Sequence, residues 1–286
     1  MTLSEARTVL TKELSNVYDR EELKNIIDLV IEHITGLQRI DQVKTKIPYL
    51  TCTQLEDIDS ITERLKKNEP LQYVLGEAWF AGMKLKVNKN VLIPRPETEE
   101  LVDWIIKEAV STGMQDVGII DIGTGSGCIP ITLKKKLPDC DITAIDVCSE
   151  ALFIATENAI EQNTDVNFIL LDFLAEEEWN ELGIFDIIVS NPPYVKQSEK
   201  DSMHERVTSF EPPLALFVPD NDALLFYKKL AGFSYNHLHT GGRLFVEINE
   251  ALAKEVLTLF QSAGLVNVQL KKDMQGKDRM VLAIKG

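Results

Sequence analysis

Long apolar runs are missing from this chain of 286 residues. None approaches the roughly 20 residues needed to cross a bilayer, so no membrane partner is expected. The first residues, Met1 to Glu5, lack a basic stretch followed by an apolar one, and no secretory signal is expected either. Cysteine is scarce. Cys52, Cys128, Cys140 and Cys148 show no C-x-x-C spacing, which argues against structural zinc, and no metal site is expected. Unpatterned thiols point to a reducing compartment, most simply the cytoplasm. Basic charge is also in deficit: 30 Lys+Arg against 45 Asp+Glu leave a net −15, of which residues 1–75 contribute −3 and the remainder −12. Proteins that grip duplex nucleic acid carry a basic face, so direct binding of nucleic acid is disfavoured. The cluster Lys134-Lys135-Lys136 fits the solvated end of a helix. Internal repeats and low-complexity tracts are absent.

What is present reads as a soluble globular protein, 44% apolar and 26% charged, long enough for one large core plus a small satellite. Residues 1–75 carry helical periodicity. Thr2-x-x-Glu5 reads as a capping box before Leu3, Ala6, Val9, Leu10 and Leu14. Asp19-x-x-Glu22 opens a second helix with Ile26, Ile27, Val30, Ile34 and Leu37 on one stripe, Gly36 lying in its fraying end. Thr53-x-x-Glu56 reads as another capping box, before Leu55, Ile58, Ile61 and Leu65. Residues 76–96 follow as a connector: alternation around Gly82 predicts a β-hairpin, then Pro94-Arg95-Pro96 stiffens the chain before a helix from Glu97. Arg95 could present a cation to a carboxylate or phosphate, or serve only as a surface linker residue.

Residues 97–286 form the third expected segment. Strands are predicted at Val117–Ile122, Ile142–Asp146, Val166–Leu171, Phe185–Ser190, Arg243–Ile248, Val266–Leu270 and Arg279–Ile284. Helices fill 127–136, 149–162, 223–238 and 251–263. Such alternation predicts an α/β doubly wound sheet with a mostly parallel core. The last two strands are joined by too few residues for a helical crossover and should form an antiparallel hairpin.

Strand ends in an open α/β sheet deliver ligand-binding residues. After the first strand stands Asp121-Ile122-Gly123-Thr124-Gly125-Ser126-Gly127, where glycines permit a tight turn and close ligand approach beside a helix N-terminus. Cys128 breaks the G-x-G-x-x-G spacing of dinucleotide sites, and no Lys-Ser/Thr follows for an NTPase loop. Asp146 ends the second strand, placed to accept from ribose hydroxyls. Asp172-Phe173 ends the third, offering an acceptor and an aromatic face to an adenine. The fourth ends in Asn191-Pro192-Pro193-Tyr194: a side-chain amide, rigidly aimed carbonyls and a ring, a set suited to gripping a planar –NH2 group. His237-x-His239, beside Gly241-Gly242, is expected in a solvated loop with no role.

Taken together, the glycine motif, Asp146 and Asn-Pro-Pro-Tyr resemble a class I (Rossmann-like) S-adenosylmethionine (SAM)-dependent methyltransferase acting on a planar nitrogen. Gln72-Tyr73-x-x-Gly76, Leu92-Ile-Pro-Arg-Pro-Glu-Thr-Glu99 and Phe210-Glu-Pro-x-x-Ala-Leu216 are similar to the release-factor glutamine methyltransferases (the PrmC or HemK family). The resemblance runs from about Pro70 to the C-terminus, and the helical N-terminal region fits it. It implies a seven-stranded sheet, a protein substrate in translation termination, and N-terminal helices that help recognise it. Gly123, Thr124, Gly125, Ser126, Gly127, Asp146, Phe173 and Asn191 would contact SAM. Asn191, Pro192, Pro193 and Tyr194 would hold the glutamine of a Gly-Gly-Gln tripeptide. This chain has Phe173 where the family often has Trp, and Phe217 to Asp222 where glycines are common.

The chemistry accords with these residue types. A carboxamide nitrogen is a poor nucleophile because its lone pair is delocalised. Acceptors on both N–H bonds, from Asn191 and the Pro192 carbonyl, favour a pyramidal nitrogen with growing positive charge. Tyr194 would pack on the amide plane. The alternatives are an adenine-N6 or guanine-N2 methyltransferase, which shares the Asn-Pro-Pro-Tyr box; an NAD-dependent oxidoreductase, opposed by the glycine spacing; and a non-catalytic factor-binding module, opposed by the two intact boxes.

Overall fold

A computed structural model describes residues 1–38, 40, 49–113 and 117–286. The chain divides into two compact units, Met1–Glu77 with His204–Phe210, and Ala78–Met203 with Glu211–Gly286.

The first unit is built on α1 (Leu3–Leu14), α2 (Arg20–Thr35), α3 (Cys52–Lys66) and the single turn α4 (Leu71–Leu75). Thr2 and Glu5 exchange the expected reciprocal bonds, Glu5 N–H to Thr2 Oγ1 at 3.2 Å and Thr2 N–H to Glu5 Oε2 at 2.8 Å. The third helix departs from expectation: its capping box is Thr51-x-x-Gln54, not Thr53-x-x-Glu56, so the helix starts two residues earlier. Thr53 and Glu56 have the right spacing, but the Thr51 backbone is the extended one a cap requires, at φ −71° and ψ 165°. Gly36 ends α2 in the left-handed conformation, φ 70°, its N–H donating to Glu32 O, so that Leu37 lies beyond the helix. Ala6, Leu10, Leu14, Val30, Ile31 and Leu65 are fully enclosed where the three helices meet. Burial of each large aliphatic side chain contributes about 1.5–3 kcal/mol. The short helix α5 (Glu205–Phe210) clusters with this unit, the Arg206 guanidinium lying 4.4 Å over the Tyr18 ring and bonding Glu22.

β1 (Glu77–Phe80), in the second unit from Ala78 on, and β2 (Met83–Lys86) form the expected two-stranded sheet. Next come α6 (Pro96–Ser111), β3 (Gly118–Ile122), α7 (Cys128–Lys136), β4 (Asp141–Asp146), α8 (Ser149–Gln162), β5 (Asn167–Leu170) and β6 (Phe185–Ser190). A short parallel pair follows, β7 (Val195–Lys196) with β8 (Phe217–Val218), and the chain ends with α9 (Leu225–His237), β9 (Leu238–Glu247), α10 (Ala253–Ser262), β10 (Leu265–Lys272) and β11 (Asp278–Lys285).

All seven predicted strands pair into one sheet of order β10-β11-β9-β6-β3-β4-β5, in which only the pairs made by β11 are antiparallel. Both faces are covered. Ile120, Ile122, Ile188 and Val246 meet Tyr227, Phe233 and Phe260 on one side. Ile119, Ile187 and Phe245 meet Leu101, Ile105 and Ile129 on the other. These near-continuous apolar runs are what a sheet buried on both faces demands. Register then decides where ligands can sit: Ile122 pairs with Ile145 and Ser190, and Asp146 with Leu170. The residues that follow β3, β4, β5 and β6 therefore emerge along one edge, and β3, flanked by β4 and β6, is the topological switch point.

Candidate active site

At that edge lies a cavity of about 340 Å³. Its wall includes Gly123, Thr124, Gly125, Ser126, Asp146 and Phe173 together with Asn191, Pro192 and Pro193. Both boxes singled out in the sequence thus open on one space. Two expected residues are not part of the lining, Gly127 and Tyr194.

The three motif glycines divide their work. Gly123 and Gly125 have φ of 77° and 54°, with open space where a Cβ would stand. Gly127, φ 78°, is the N-cap of α7, and a Cβ there would meet Ile131 Cδ1 at 3.0 Å and Ala155 Cβ at 3.1 Å. That close approach packs α7 on α8. The buried Asn158 of α8 reinforces this corner: its amide donates to Ser126 O at 2.9 Å and Lys86 O at 3.0 Å and accepts from Lys86 N–H at 2.6 Å.

Asp146 is already engaged by the backbone. Oδ2 accepts from Gly125 N–H at 2.8 Å and Oδ1 from Cys148 N–H at 2.9 Å. Burial raises its carboxyl above the ordinary range against these bonds. Each oxygen keeps a second lone pair for a ligand hydroxyl. Phe173, 5% exposed, stacks on Trp179 at 5.3 Å between centroids and meets Phe233 edge-on at 5.5 Å. Asp172 Oδ1 accepts from Leu174 N–H at 2.9 Å and shares the cavity wall. Cys128 also lines the cavity; burial pushes its thiol up to about 12, so it stays protonated and weakly nucleophilic.

Asp121 opens the glycine motif, and its surroundings set it apart from the other motif residues. It is 0% exposed behind the glycine loop, and neither carboxylate oxygen meets a donor at hydrogen-bond geometry. The hydroxyls of Thr124 and Ser126 are likewise buried without a partner. Burial raises the Asp121 carboxyl to about 7; the nearby Thr124 hydroxyl offsets part of this, and the Asp146 charge adds to it. Asp121 does not itself line the cavity; a buried carboxylate next in the chain to residues that do favours a cation held nearby.

Asn191 Nδ2 donates to Thr98 Oγ1 at 3.0 Å, and Thr98 Oγ1 donates to Glu247 Oε2 at 2.7 Å. Tyr194 OH donates to the other oxygen, Oε1, at 3.0 Å. Tyr194 is thus tied to the wall's support, and burial raises its phenol far above the ordinary value. Arg95 is not a free linker residue. It pairs with Glu211, 3% exposed, whose Oε2 also accepts from Ile93 N–H at 3.3 Å. This joins Leu92-Ile-Pro-Arg-Pro to Phe210-Glu-Pro. The histidines are not in a loop either: His237 ends α9 with its ring 4.2 Å from that of Phe233, and His239 lies in β9.

Comparison with known proteins places this geometry. Residues 5–76 match the PrmC N-terminal domain and residues 104–209 the methyltransferase small domain. The chain is 43% identical to the release factor glutamine methyltransferase of Flavobacterium psychrophilum over 98% of each sequence. The chain belongs to the release factor glutamine methyltransferase family. Its counterpart from Bacteroides thetaiotaomicron is 40% identical, over 96% of this chain and 97% of that one. A 16S rRNA N2 G1207 methyltransferase of T. thermophilus, solved with AdoMet and guanosine, superposes with a TM-score of 0.54 at 16% identity, over 73% of this chain and 50% of that one. This likeness bears on the fold alone, which is the class I methyltransferase fold expected from the sequence.

For a release factor glutamine methyltransferase, the residues that sequence reasoning passed over are Asp121, Thr98 and Glu247. Thr98 stood inside the Ile-Pro-Arg-Pro-Glu-Thr block. A buried acid at the end of a run as apolar as Leu244-Phe-Val246 was the available signal for Glu247.

Proposed function

We propose that this chain transfers a methyl group from SAM to the side-chain amide nitrogen, N5, of the glutamine in the Gly-Gly-Gln motif of peptide chain release factors. The observation that carries it is the single cavity onto which the glycine loop, Asp146, Asn191 and Pro192 all open, in a chain that aligns with its relatives over nearly its whole length. The site residues fit a cationic nucleoside. Gly123 and Gly125 leave room on their Cβ side, Asp146 has spare lone pairs for ribose hydroxyls, Phe173 offers an aromatic wall, and Asp121 supplies a buried carboxyl whose ionised form a nearby cation would favour.

When bound, SAM supplies a methyl group activated by positively charged sulfur. The protein's own part is to hold the acceptor. Asn191 donates one N–H of its amide to Thr98, an orientation that leaves Oδ1 as its acceptor for one substrate N–H. The Pro192 carbonyl takes the other. Both acceptors gain strength as positive charge grows on the nitrogen, so they act on the transition state more than on the ground state. No strong base is required, since the methylated cation is far more acidic than its parent amide. Tyr194, bonded to Glu247, acts by supporting this loop as well as by any contact with the amide plane.

The N-terminal unit recognises the release factor in this reading, supported by its match to the PrmC N-terminal domain. The free cysteines support a cytoplasmic site of action, and among the described residues no helix is long and apolar enough to cross a membrane. Incubation of a Gly-Gly-Gln release factor with SAM and the protein, followed by peptide mass spectrometry, should find one methyl increment on that glutamine. An unmodified glutamine alongside a methylated adenine or guanine in added nucleic acid would replace this reading with the rival one.

A further inference from the structure

We propose that Thr98 and Glu247 form a positioning relay that selects which end of the Asn191 amide faces the cavity. The inference rests on the reading of Asn191 as an acceptor for substrate. An asparagine amide has nearly the same shape when turned by half a revolution, but the turn exchanges an oxygen acceptor for an N–H donor. At Asn191 the turned form would set a donor against the substrate N–H. Something must disfavour it.

The neighbours do. Thr98 Oγ1 lies 2.7 Å from Glu247 Oε2 and 3.0 Å from Asn191 Nδ2. A hydroxyl carries one proton. If that proton goes to the carboxylate, the hydroxyl can only accept from Asn191, and Nδ2 must face Thr98. An ionised carboxylate is acceptor-only, so the direction of the chain is imposed from its inner end. The second oxygen of Glu247 is met by another hydroxyl, Tyr194 OH, at 3.0 Å. Burial raises the Glu247 carboxyl above its ordinary range, while the hydrogen bonds from Thr98 and Tyr194 and the charge of Arg279 favour the ionised form against it. Thr98 and Glu247 are each 2% exposed, so water does not compete for the bond between them. The three residues come from the first turn of α6, the end of β9 and the loop after β6. Thr98 and Glu247 touch no substrate atom in this account and are positioning residues, not catalytic ones; Asn191 is the residue they act through.

The test compares T98V, T98S and E247Q with the wild type in single-turnover methylation at saturating SAM and release factor. It includes melting temperature, SAM affinity and the Asn191 side-chain amide resonances in 15N NMR. T98V keeps the shape of threonine without its oxygen and should lower kcat about tenfold, the rate equivalent of one hydrogen bond. KM and SAM affinity should stay close to wild type. T98S should retain most of the rate. E247Q, whose amide can donate towards Thr98, should lose rate in the same direction as T98V. In an N191A background T98V and E247Q should cost nothing further, because the residue they act through is gone. Equal losses in both backgrounds, or T98S failing as badly as T98V, would overturn the relay; should T98V not fold, E247Q with and without N191A decides it. The NMR arm separates the relay from the function. Loss of the hydrogen-bonded Asn191 Nδ2 resonance in T98V supports the relay even if the wild type leaves glutamine unmethylated. An unchanged resonance with an unchanged rate in T98V refutes the relay while the methyltransferase reading stands.

Discussion

Replacing Asp121 by asparagine should stabilise the ligand-free protein above neutral pH while weakening its hold on SAM. Burial raises this carboxyl from an ordinary 3.8 to about 7. Because the folded state binds the proton more tightly than the unfolded chain, stability is lost as pH rises from 3.8 through about 7, and the full penalty applies above that. A shift of about three units corresponds to roughly 4 kcal/mol at about 1.4 kcal/mol per unit, an upper bound for a carboxylate with no donor. Asparagine removes the charge but brings a buried amide whose unmet bonds cost about 1–3 kcal/mol. The expected net gain at pH 8 is therefore about 1–3 kcal/mol, shrinking as pH falls towards 5, measured by urea unfolding at the two pH values. Ligand binding should move the other way. An adjacent cation lowers a carboxyl by about 1–3 units, so wild-type SAM affinity should climb about tenfold or more as pH approaches 7 and then level off. In D121N calorimetry should find weaker binding with the pH dependence flattened. A variant that is less stable at pH 8 and binds SAM as tightly as wild type would mean that Asp121 is satisfied within the protein, and the reasoning would fail.

Alanine at Asn191 should cost about 10²–10³ in single-turnover rate, the usual loss for one preorganised group, and aspartate should retain more because it keeps an oxygen acceptor; alanine outperforming aspartate with fold and SAM affinity intact would refute the acceptor role. Asp146→Ala removes both the ribose acceptors and the partners of Gly125 and Cys148 N–H, so SAM affinity by calorimetry and melting temperature should fall together, by about 1.5–3 kcal/mol per charge-assisted bond before water compensates. Gly127→Ala should destabilise by about 1–3 kcal/mol in urea unfolding, since its Cβ would crowd Ala155 on α8; unfolding at the wild-type midpoint would refute the packing role.

The outline of the fold was open to reading because it depends on local pattern. Apolar runs such as Phe185–Ser190, cut off by turn residues, have few ways to be satisfied except as strands buried on both faces, and the short Lys271–Asp278 link leaves only an antiparallel hairpin. The meeting of strand ends at the cavity was legible for the same reason: Asp146 closes one run and Asn191 follows another, and parallel register brings them to one edge. Local pattern misled at Thr53, where two cap spacings overlapped and backbone conformation chose Thr51. It was silent where a residue's meaning comes from a distant partner. Thr98 and Glu247 lie 149 positions apart, Asn191 and Thr98 93 apart, and Arg95 and Glu211 116 apart. Nothing near a buried hydroxyl or carboxylate in the chain says which donor will reach it. Periodicity records which face a residue turns to the core. Pairing of polar groups inside that core is decided only when folding excludes water and leaves each group the partners within about 3 Å.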